Sequence, residues 1–319
     1  MEIKPAVRKA TPALIGLWGP SGSGKTLSAL KIARGLVGPK GKIGMIDTEN
    51  RRAEFYAKEV GGWDHMDFQP PFSPIRYTEA FKAFEDTGQY GCVIVDSVSH
   101  VWEGDGGVLD MAESGRTQSG AARQGLNKWQ APKMAYKRMI NNLLRAPFHV
   151  IFCLRAKDGV RQKGTGANAE IESSGLEPIC EKNFIYEMTV SVLLGQDHKP
   201  LIKPVDRFFC NAMIPAIKAP DELLPAIRPG EFLSEQTGAD IAAWVDGGEI
   251  VDHEYEQLSR VARDIATMGT DRLHQHWKSL SPAEQNKLAA IKDDLKRTAA
   301  DADAEGMDES QEEHGDVLA

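Results

Sequence analysis

The chain has 319 residues, of which 41% are hydrophobic, 26% charged and 7% aromatic, a balance that excludes wholesale disorder, a collagen-like fibre and a pure coiled coil, and a length sufficient for about two domains of roughly 150 residues. The net charge of −8 is concentrated at the end: residues 301–319 hold eight acids (Asp301, Asp303, Glu305, Asp308, Glu309, Glu312, Glu313, Asp316) and no Lys or Arg, which leaves 38 charges of each sign in residues 1–300. No apolar run approaches the roughly 18 to 20 residues that span a bilayer, and Met1-Glu2-Ile3-Lys4-Pro5 is not an apolar signal segment, so a cytoplasmic protein without a membrane partner is expected.

Residues 1–12, with Pro5 and Pro12, read as an extended lead-in. Ala13 to Trp18 is a short apolar run suited to a buried strand, and Thr26 to Val37 carries Leu27, Leu30, Ala33 and Val37 at helical spacing. Between them, Gly19-Pro20-Ser21-Gly22-Ser23-Gly24-Lys25-Thr26 fits the phosphate-binding loop Gly-x-x-x-x-Gly-Lys-Ser/Thr in its proper place after a strand and before a helix. Glycines let successive backbone N–H groups turn inward, and the helix N-terminus adds partial positive charge. Lys25 would reach the β- and γ-phosphates of a nucleotide, and the Thr26 hydroxyl would ligate Mg²⁺.

Three more apolar runs each end in a polar residue: Ile43 to Ile46 before Asp47, Cys92 to Val95 before Asp96, and His149 to Leu154 before Arg155. Helical stretches, notably Tyr77 to Phe84 and Ala131 to Leu144, lie between them, which predicts an α/β fold with a mostly parallel central sheet covered on both faces. Asp96, leaving its strand at the carboxyl end, is expected to hold the metal directly or through water. Glu49 lies just beyond the second strand. Because carboxyl ends of neighbouring parallel strands open onto one crevice, it can face the γ-phosphate as general base or water orienter; the other reading is a solvated loop acid paired with Arg51 or Arg52. Cys92, Cys153, Cys180 and Cys210 are far apart, with no Cys-x-x-Cys pair, and suggest neither a zinc site nor a disulfide framework.

Taken with the loop, Ile46-Asp47-Thr48-Glu49 and Val93-Ile94-Val95-Asp96-Ser97-Val98 resemble the RecA-like recombinase ATPases, and more closely the phage-type proteins of the AAA/RecA superfamily that assist single-strand DNA annealing and recombination. The resemblance extends over about residues 13–210 and implies a RecA-like P-loop core over 13–220, with ATP and Mg²⁺ as cofactors and Glu49 activating the attacking water. It also places Tyr56 against the adenine, where the residue taken alone is equally an aromatic of an amphipathic helix. Arg155 stands where the family has a glutamine that senses the γ-phosphate. Three roles are open to it: stabilising transition-state charge, contacting DNA, or capping its strand. Lys199 and Lys203 fall where the family's interface lysines reach a neighbour's nucleotide, with solvated hairpin charges as the plain alternative. They lie among short runs (Ile185 to Leu194, Pro200 to Pro204, Arg207 to Cys210) that read as strands extending one sheet edge.

Two segments have the composition of long loops: Gly104 to Gly125 with Arg116 and Arg123, and Ala156 to Gly175 with Lys157, Arg161 and Lys163. The resemblance places two DNA-contacting loops here, and cations on flexible backbone can follow a phosphate chain without reading sequence. Mobile surface loops that touch no DNA are the other reading.

Residues 221–250 read as a Pro- and Gly-containing linker with a short helix near Thr237 to Val245, and residues 251–298 as a helical appendage. Its signals are a stripe of Tyr255, Leu258, Val261, Ala262, Ile265 and Met268, and the capping box Ser281-Pro282-Ala283-Glu284 opening a helix with Leu288, Ile291 and Leu295 on one face. His274 and His276 point to different faces and make no metal pair, while Trp277 reads as a core anchor. Residues 299–319 bury too little apolar surface to order and are expected to be a mobile acidic tail, competing with DNA, recruiting a basic protein partner or merely solubilising.

The expected function is a DNA-stimulated ATPase acting on single-stranded DNA in recombination or repair, with Lys25, Glu49 and Arg155 catalytic. The alternatives are a small-molecule kinase using Arg155, Lys157 and Arg161 as a basic lid, and a non-catalytic ATP-gated binding or loader module. The twelve-residue lead-in does not accommodate the amino-terminal helical domain with which bacterial recombinases pack filaments, so rings or short homo-oligomers are expected.

Overall fold

Strands buried on both faces need unbroken apolar runs, and helices packed on them need apolar stripes. The computed structural model, which describes residues 9–115, 125–163, 170–201, 215–227, 230–247 and 253–315, turns those patterns into two units, Ala10–Gly248 and the remainder with Glu249–Ala319. The larger unit runs β1 (Leu14–Gly19), α1 (Lys25–Val37), β2 (Lys42–Asp47), α2 (Ala57–Val60), β3 (Asp64–Asp67), α3 (Pro74–Glu85), β4 (Tyr90–Asp96), α4 (Ser99–Glu103) and α5 (Val108–Ser114). It continues through α6 (Gln130–Leu143), β5 (His149–Lys163), β6 (Glu170–Pro178), β7 (Val190–Leu193), β8 (Ile217–Lys218) and α7 (Glu235–Asp246).

The sheet order is β3-β2-β4-β5-β1-β7-β8, parallel except for β8, with β6 pairing antiparallel to the outer half of β5. Strand alternation splits the core in two. Trp18, Ile46, Val93, Val95, Phe152 and Leu154 face α3 and α6, where Tyr77, Phe81, Phe84, Met139 and Leu143 close over them. Ile15, Leu17, Met45, Ile94 and Cys153 face α1 and α7, against Leu30, Ile32, Ala33, Ile241 and Val245. The three-layer α/β arrangement with a mostly parallel sheet is as expected. Because β5 lies between β1 and β4, the carboxyl ends of β1, β2, β4 and β5 open onto one crevice.

Several expectations are corrected. Residues 221–248 are not a linker apart from the core but belong to the larger unit, since two glycines let α7 cross α1 backbone to backbone. A Cβ on Gly35 would stand 1.9 Å from the Glu235 carbonyl oxygen, and one on Gly238 would stand 2.1 Å from that of Ile32. Gly35→Ala is expected to destabilise the protein by about 1–3 kcal/mol despite alanine's better helix preference. Denaturant unfolding checks this, and an unchanged midpoint contradicts the close crossing.

The segment from Ala156 to Gly175 is not a loop: its described residues form the antiparallel β5–β6 pair, running from Ala156 opposite Pro178 to Gly159 opposite Gly175 and, after a one-residue bulge, from Val160 opposite Ser173 to Lys163 opposite Glu170. Its root packs on the core through Ala156 and Leu176, while Val160 and Ile171 further out are 73% and 79% exposed, so these apolar positions do not show the buried alternation by which strands are read. Within Gly104 to Gly125, α5 is helical and Val108 and Ala112 are buried. Of Ile185 to Leu194, only Val190–Leu193 is strand, preceded by a 3-10 turn at Phe184–Glu187. The runs at 200–204 and 207–210 lie almost wholly outside the described residues, as do Lys203 and Cys210.

The smaller unit packs α8 (His253–Ala266), α9 (Thr270–Ser279), α10 (Pro282–Lys287) and α11 (Lys292–Gly315) around Ala262, Ala266, Leu273, Leu288, Ile291 and Leu295. Ser281 and Glu284 close the capping box, Ser281 N donating to Glu284 Oε2 at 2.7 Å. Of the predicted stripe on α8, Val261 is 37% and Met268, just past its end, 66% exposed. Trp277 packs against the core beneath the Lys292 ammonium. The tail expected to be mobile from residue 299 is instead helical to Gly315: Ala299 is buried in this core, and Asp303 accepts from Thr270 N at the start of α9. Among the described residues no helix is long and apolar enough to cross a membrane.

Candidate functional site

At Gly19 the end of β1 lies level with Arg155 on β5, and the chain turns through Pro20 to Gly24 before α1 begins. Gly22 and Gly24 have φ of 80° and 79°, left-handed conformations that a side chain would strain. No side chain caps α1 at Gly24, so its first amides remain available to an anion. Lys25 folds back over the loop: its Nζ donates to the carbonyls of Gly19 (3.0 Å) and Pro20 (2.8 Å), within 3.4 Å of Ser23 Oγ. Burial pushes its ammonium below the usual lysine range, against the pull of Asp96 and Glu49.

Thr26 Oγ1 donates to Asp96 Oδ2 at 2.5 Å, joining the loop to the end of β4. Asp96 is buried, and desolvation pushes its carboxyl up to about 6 while the Thr26 hydroxyl draws it down. A hydroxyl beside a carboxylate is an oxygen donor set suited to Mg²⁺. Among the described residues no group of three or more His, Cys, Asp or Glu gathers to hold an ion, and Mg²⁺ in nucleotide sites relies on one or two protein oxygens, substrate phosphates and water. Thr26 and Asp96 therefore fit that ion as partial ligands.

Strand pairing alone would leave Glu49 loosely placed beyond β2. Thr48 fixes it. Thr48 N donates to the Asp96 carbonyl at 2.6 Å, and its hydroxyl accepts from Ser97 N at 2.7 Å and meets His100 Nδ1 at 2.7 Å. The buried Asp47 carboxylate accepts from Glu49 N at 2.7 Å and lies 3.0 Å from His65 Nε2. Burial lowers the pKa of His100, as does the nearby Arg155, with Glu49 acting the other way. Thr48 and Ser97 lie inside the two motifs that carry the resemblance but have no role of their own in the sequence reading, and nothing in the pattern marks His100, four residues past Asp96 on a separate short helix.

Glu49 does not pair with Arg51 or Arg52. Arg51 binds Glu54, and Glu49 is gripped by Arg155, whose Nε donates to Oε1 at 2.8 Å and Nη2 to Oε2 at 2.6 Å. This two-point fork is geometry a lysine cannot reproduce. The Arg155 amide in turn donates to Ser99 Oγ at 2.9 Å. Glu49 thus strengthens Arg155 as a cation, raising its pKa. Lys25, Thr26, Asp96, Glu49 and Arg155 are gathered along the crevice formed by four strand ends.

Other candidates lie apart. Tyr56 is half-buried against the apolar cluster on the α1 side of the sheet. Lys157 is exposed, level with Glu177 at the base of the β5–β6 ribbon. Arg161 and Lys163 lie further out on β5, their side chains outside the described set, and Arg116 and Arg123 lie outside the described residues altogether. Lys199 Nζ stands 5.0 Å over the Phe232 ring of its own chain.

The profile of the AAA domain family matches residues 11–189, a span that includes the phosphate loop, Glu49, Asp96, Arg155 and most of the sheet. Protein RecA of Ruminococcus albus is 33% identical over 87 residues, which is 27% of this chain and 22% of that protein. The matched stretch therefore spans about a fifth of the relative's length.

Proposed function

Since the chain belongs to the AAA domain family, whose RecA-like P-loop core binds ATP, we propose that it hydrolyses ATP with Mg²⁺ and uses that cycle on single-stranded DNA in recombination or repair. The observation that carries the reading is the convergence of three strand ends on the phosphate loop: Thr26 bonded to Asp96, and Glu49 seated beside them in the fork of Arg155.

In this mechanism the loop amides and Lys25 would hold the β- and γ-phosphates, and Thr26 and Asp96 would hold Mg²⁺, which would supply screening of the charge on the phosphate oxygens. Glu49 orients and deprotonates the attacking water. Each oxygen keeps a lone pair beside its bond to Arg155, so Glu49 can accept from the water within the fork, and release of Arg155 raises its basicity. Arg155 is released toward the γ-phosphate, so one residue both restrains the base and supplies charge to the transition state. The DNA contacts are assigned to Lys157, Arg161 and Lys163 of the ribbon and to Arg116 and Arg123, with short homo-oligomers as the working form. Similarity of one stretch to a RecA protein supports this reading.

ATP turnover measured across a titration of single-stranded DNA tests it. Turnover is expected to rise with DNA, and the stimulation to fall steeply with added salt as phosphate contacts require; a flat response overturns the DNA role. The occupied state of Glu49 favours a second reading, an ATP-gated binding module with negligible hydrolysis, in which turnover stays at background with or without DNA while ATP still binds.

A further inference from the structure

β7 ends at Leu193, and the chain reverses through Gly195-Gln196-Asp197-His198-Lys199 directly on the phosphate loop. Leu194 N donates to the Trp18 carbonyl at 2.8 Å, Leu194 pairs with Pro200 to close the turn, and a Cβ on Gly19 would stand 2.6 Å from the Leu194 oxygen. Inside the turn, Gly195 N donates to the Lys199 carbonyl at 2.9 Å, His198 N to that of Gly195 at 3.0 Å, and Lys199 N to Asp197 Oδ1 at 3.3 Å. This bonding holds His198 at φ 66°, a left-handed conformation uncommon for a residue with a side chain.

The held side chain lies across Gly24: a Cβ there would be 3.1 Å from His198 Cβ, 3.2 Å from Cγ and 3.6 Å from Nδ1. The φ of His198 belongs to the turn, a type I turn followed by a left-handed residue. What points to the ligand is the placement: an exposed imidazole lying across a glycine of the phosphate loop.

The sheet order says which end of the nucleotide arrives there. Asp96 on β4, and Glu49 with Arg155 on β2 and β5, lie on one side of β1; β7 lies on the other. A triphosphate whose terminal group faces those residues sends its ribose and base the opposite way, over the β7 turn. Tyr56 follows β2, on the terminal-phosphate side, and is packed against the core. Lys199 is turned toward Phe232, and Asp197, the acid of the turn, is engaged by the Lys199 amide.

We propose that the His198 imidazole is the platform on which the nucleobase of the bound nucleotide stacks, an assignment that rests on the ATP-binding reading and adds to it the seat of the nucleoside end. The test titrates ATP and inorganic tripolyphosphate, each with Mg²⁺, into the full chain, His198→Asn and His198→Phe, with thermal midpoints recorded. Asparagine tolerates the left-handed backbone and removes the ring, whereas phenylalanine keeps an aromatic face. His198→Asn is expected to weaken ATP about tenfold, the order of one lost stacking contact, and to leave tripolyphosphate within about twofold; His198→Phe is expected to keep ATP within about threefold of the unsubstituted chain. Equal weakening of both ligands by His198→Asn, or no change in ATP, overturns the assignment while leaving ATP binding intact. Binding of neither ligand by the unsubstituted chain overturns the ATP reading and the assignment with it.

Discussion

Replacing Lys25 with alanine is expected to weaken ATP by at least about a hundredfold, because each hydrogen bond between an ammonium and a phosphate oxygen is worth about 1.5–3 kcal/mol and Lys25 can offer more than one. Nζ already lies within bonding distance of the Gly19 and Pro20 carbonyls, so it needs only a short swing to exchange them for phosphate. The same bonds mean that Lys25→Ala leaves two loop carbonyls without this donor. The thermal midpoint should be recorded beside the calorimetric titration, so that loss of ATP heat in a folded protein is separated from loss of the fold. Full ATP affinity in a folded Lys25→Ala protein would remove the phosphate loop from the nucleotide site.

The second large effect concerns Glu49. Glu49→Gln is expected to lower ATP turnover by about 10²- to 10⁴-fold, the usual worth of a positioned general base, while ATP affinity changes little, because the carboxylate is assigned to water and not to the nucleotide. Arg155→Ala then separates the roles open to that arginine. If Arg155 only restrains Glu49, its removal frees the carboxylate and basal turnover rises. If it also stabilises transition-state charge, as proposed, turnover falls, by as much as the 10³- to 10⁵-fold attributed to arginines acting on phosphoryl transfer. Steady-state phosphate release by the two variants reads both effects, and unchanged turnover in Glu49→Gln would leave the ATP-gated module as the better description.

What could be read from the sequence had a short range. The loop Gly19–Thr26 and the strands before Asp47 and Asp96 were legible because a buried parallel strand must be apolar throughout and the acid must come at its end. β3 was not, since Asp64-His65-Met66-Asp67 is a polar edge strand whose residues are at most half-buried and carries no apolar run. The ribbon of β5 and β6 reads as a loop for a related reason: Gly159 faces Gly175 across it, and a polar, glycine-containing backbone without an apolar run looks the same whether paired or free. The Glu49–Arg155 fork joins residues 106 apart in sequence, and only the placement of β5 beside β4 brings them together. The close crossing of α1 and α7 was hidden likewise, because a lone glycine such as Gly35 reads as a weak helix position until its partner Gly238 is in place.

β5 is a single strand of 15 residues that begins in the middle of the parallel sheet and ends in the ribbon, with Arg155 at the changeover. At about 3.3 Å per residue, the eight residues from Ala156 to Lys163 carry the ribbon roughly 25 Å from its root. Its residues before and after Arg155 form two arms of similar length, one inside the sheet and one in the ribbon: a tilt of about three degrees where Arg155 sits displaces the far end by more than about 1 Å. Conversely, a load on the distal arm is felt as torque at that same pivot.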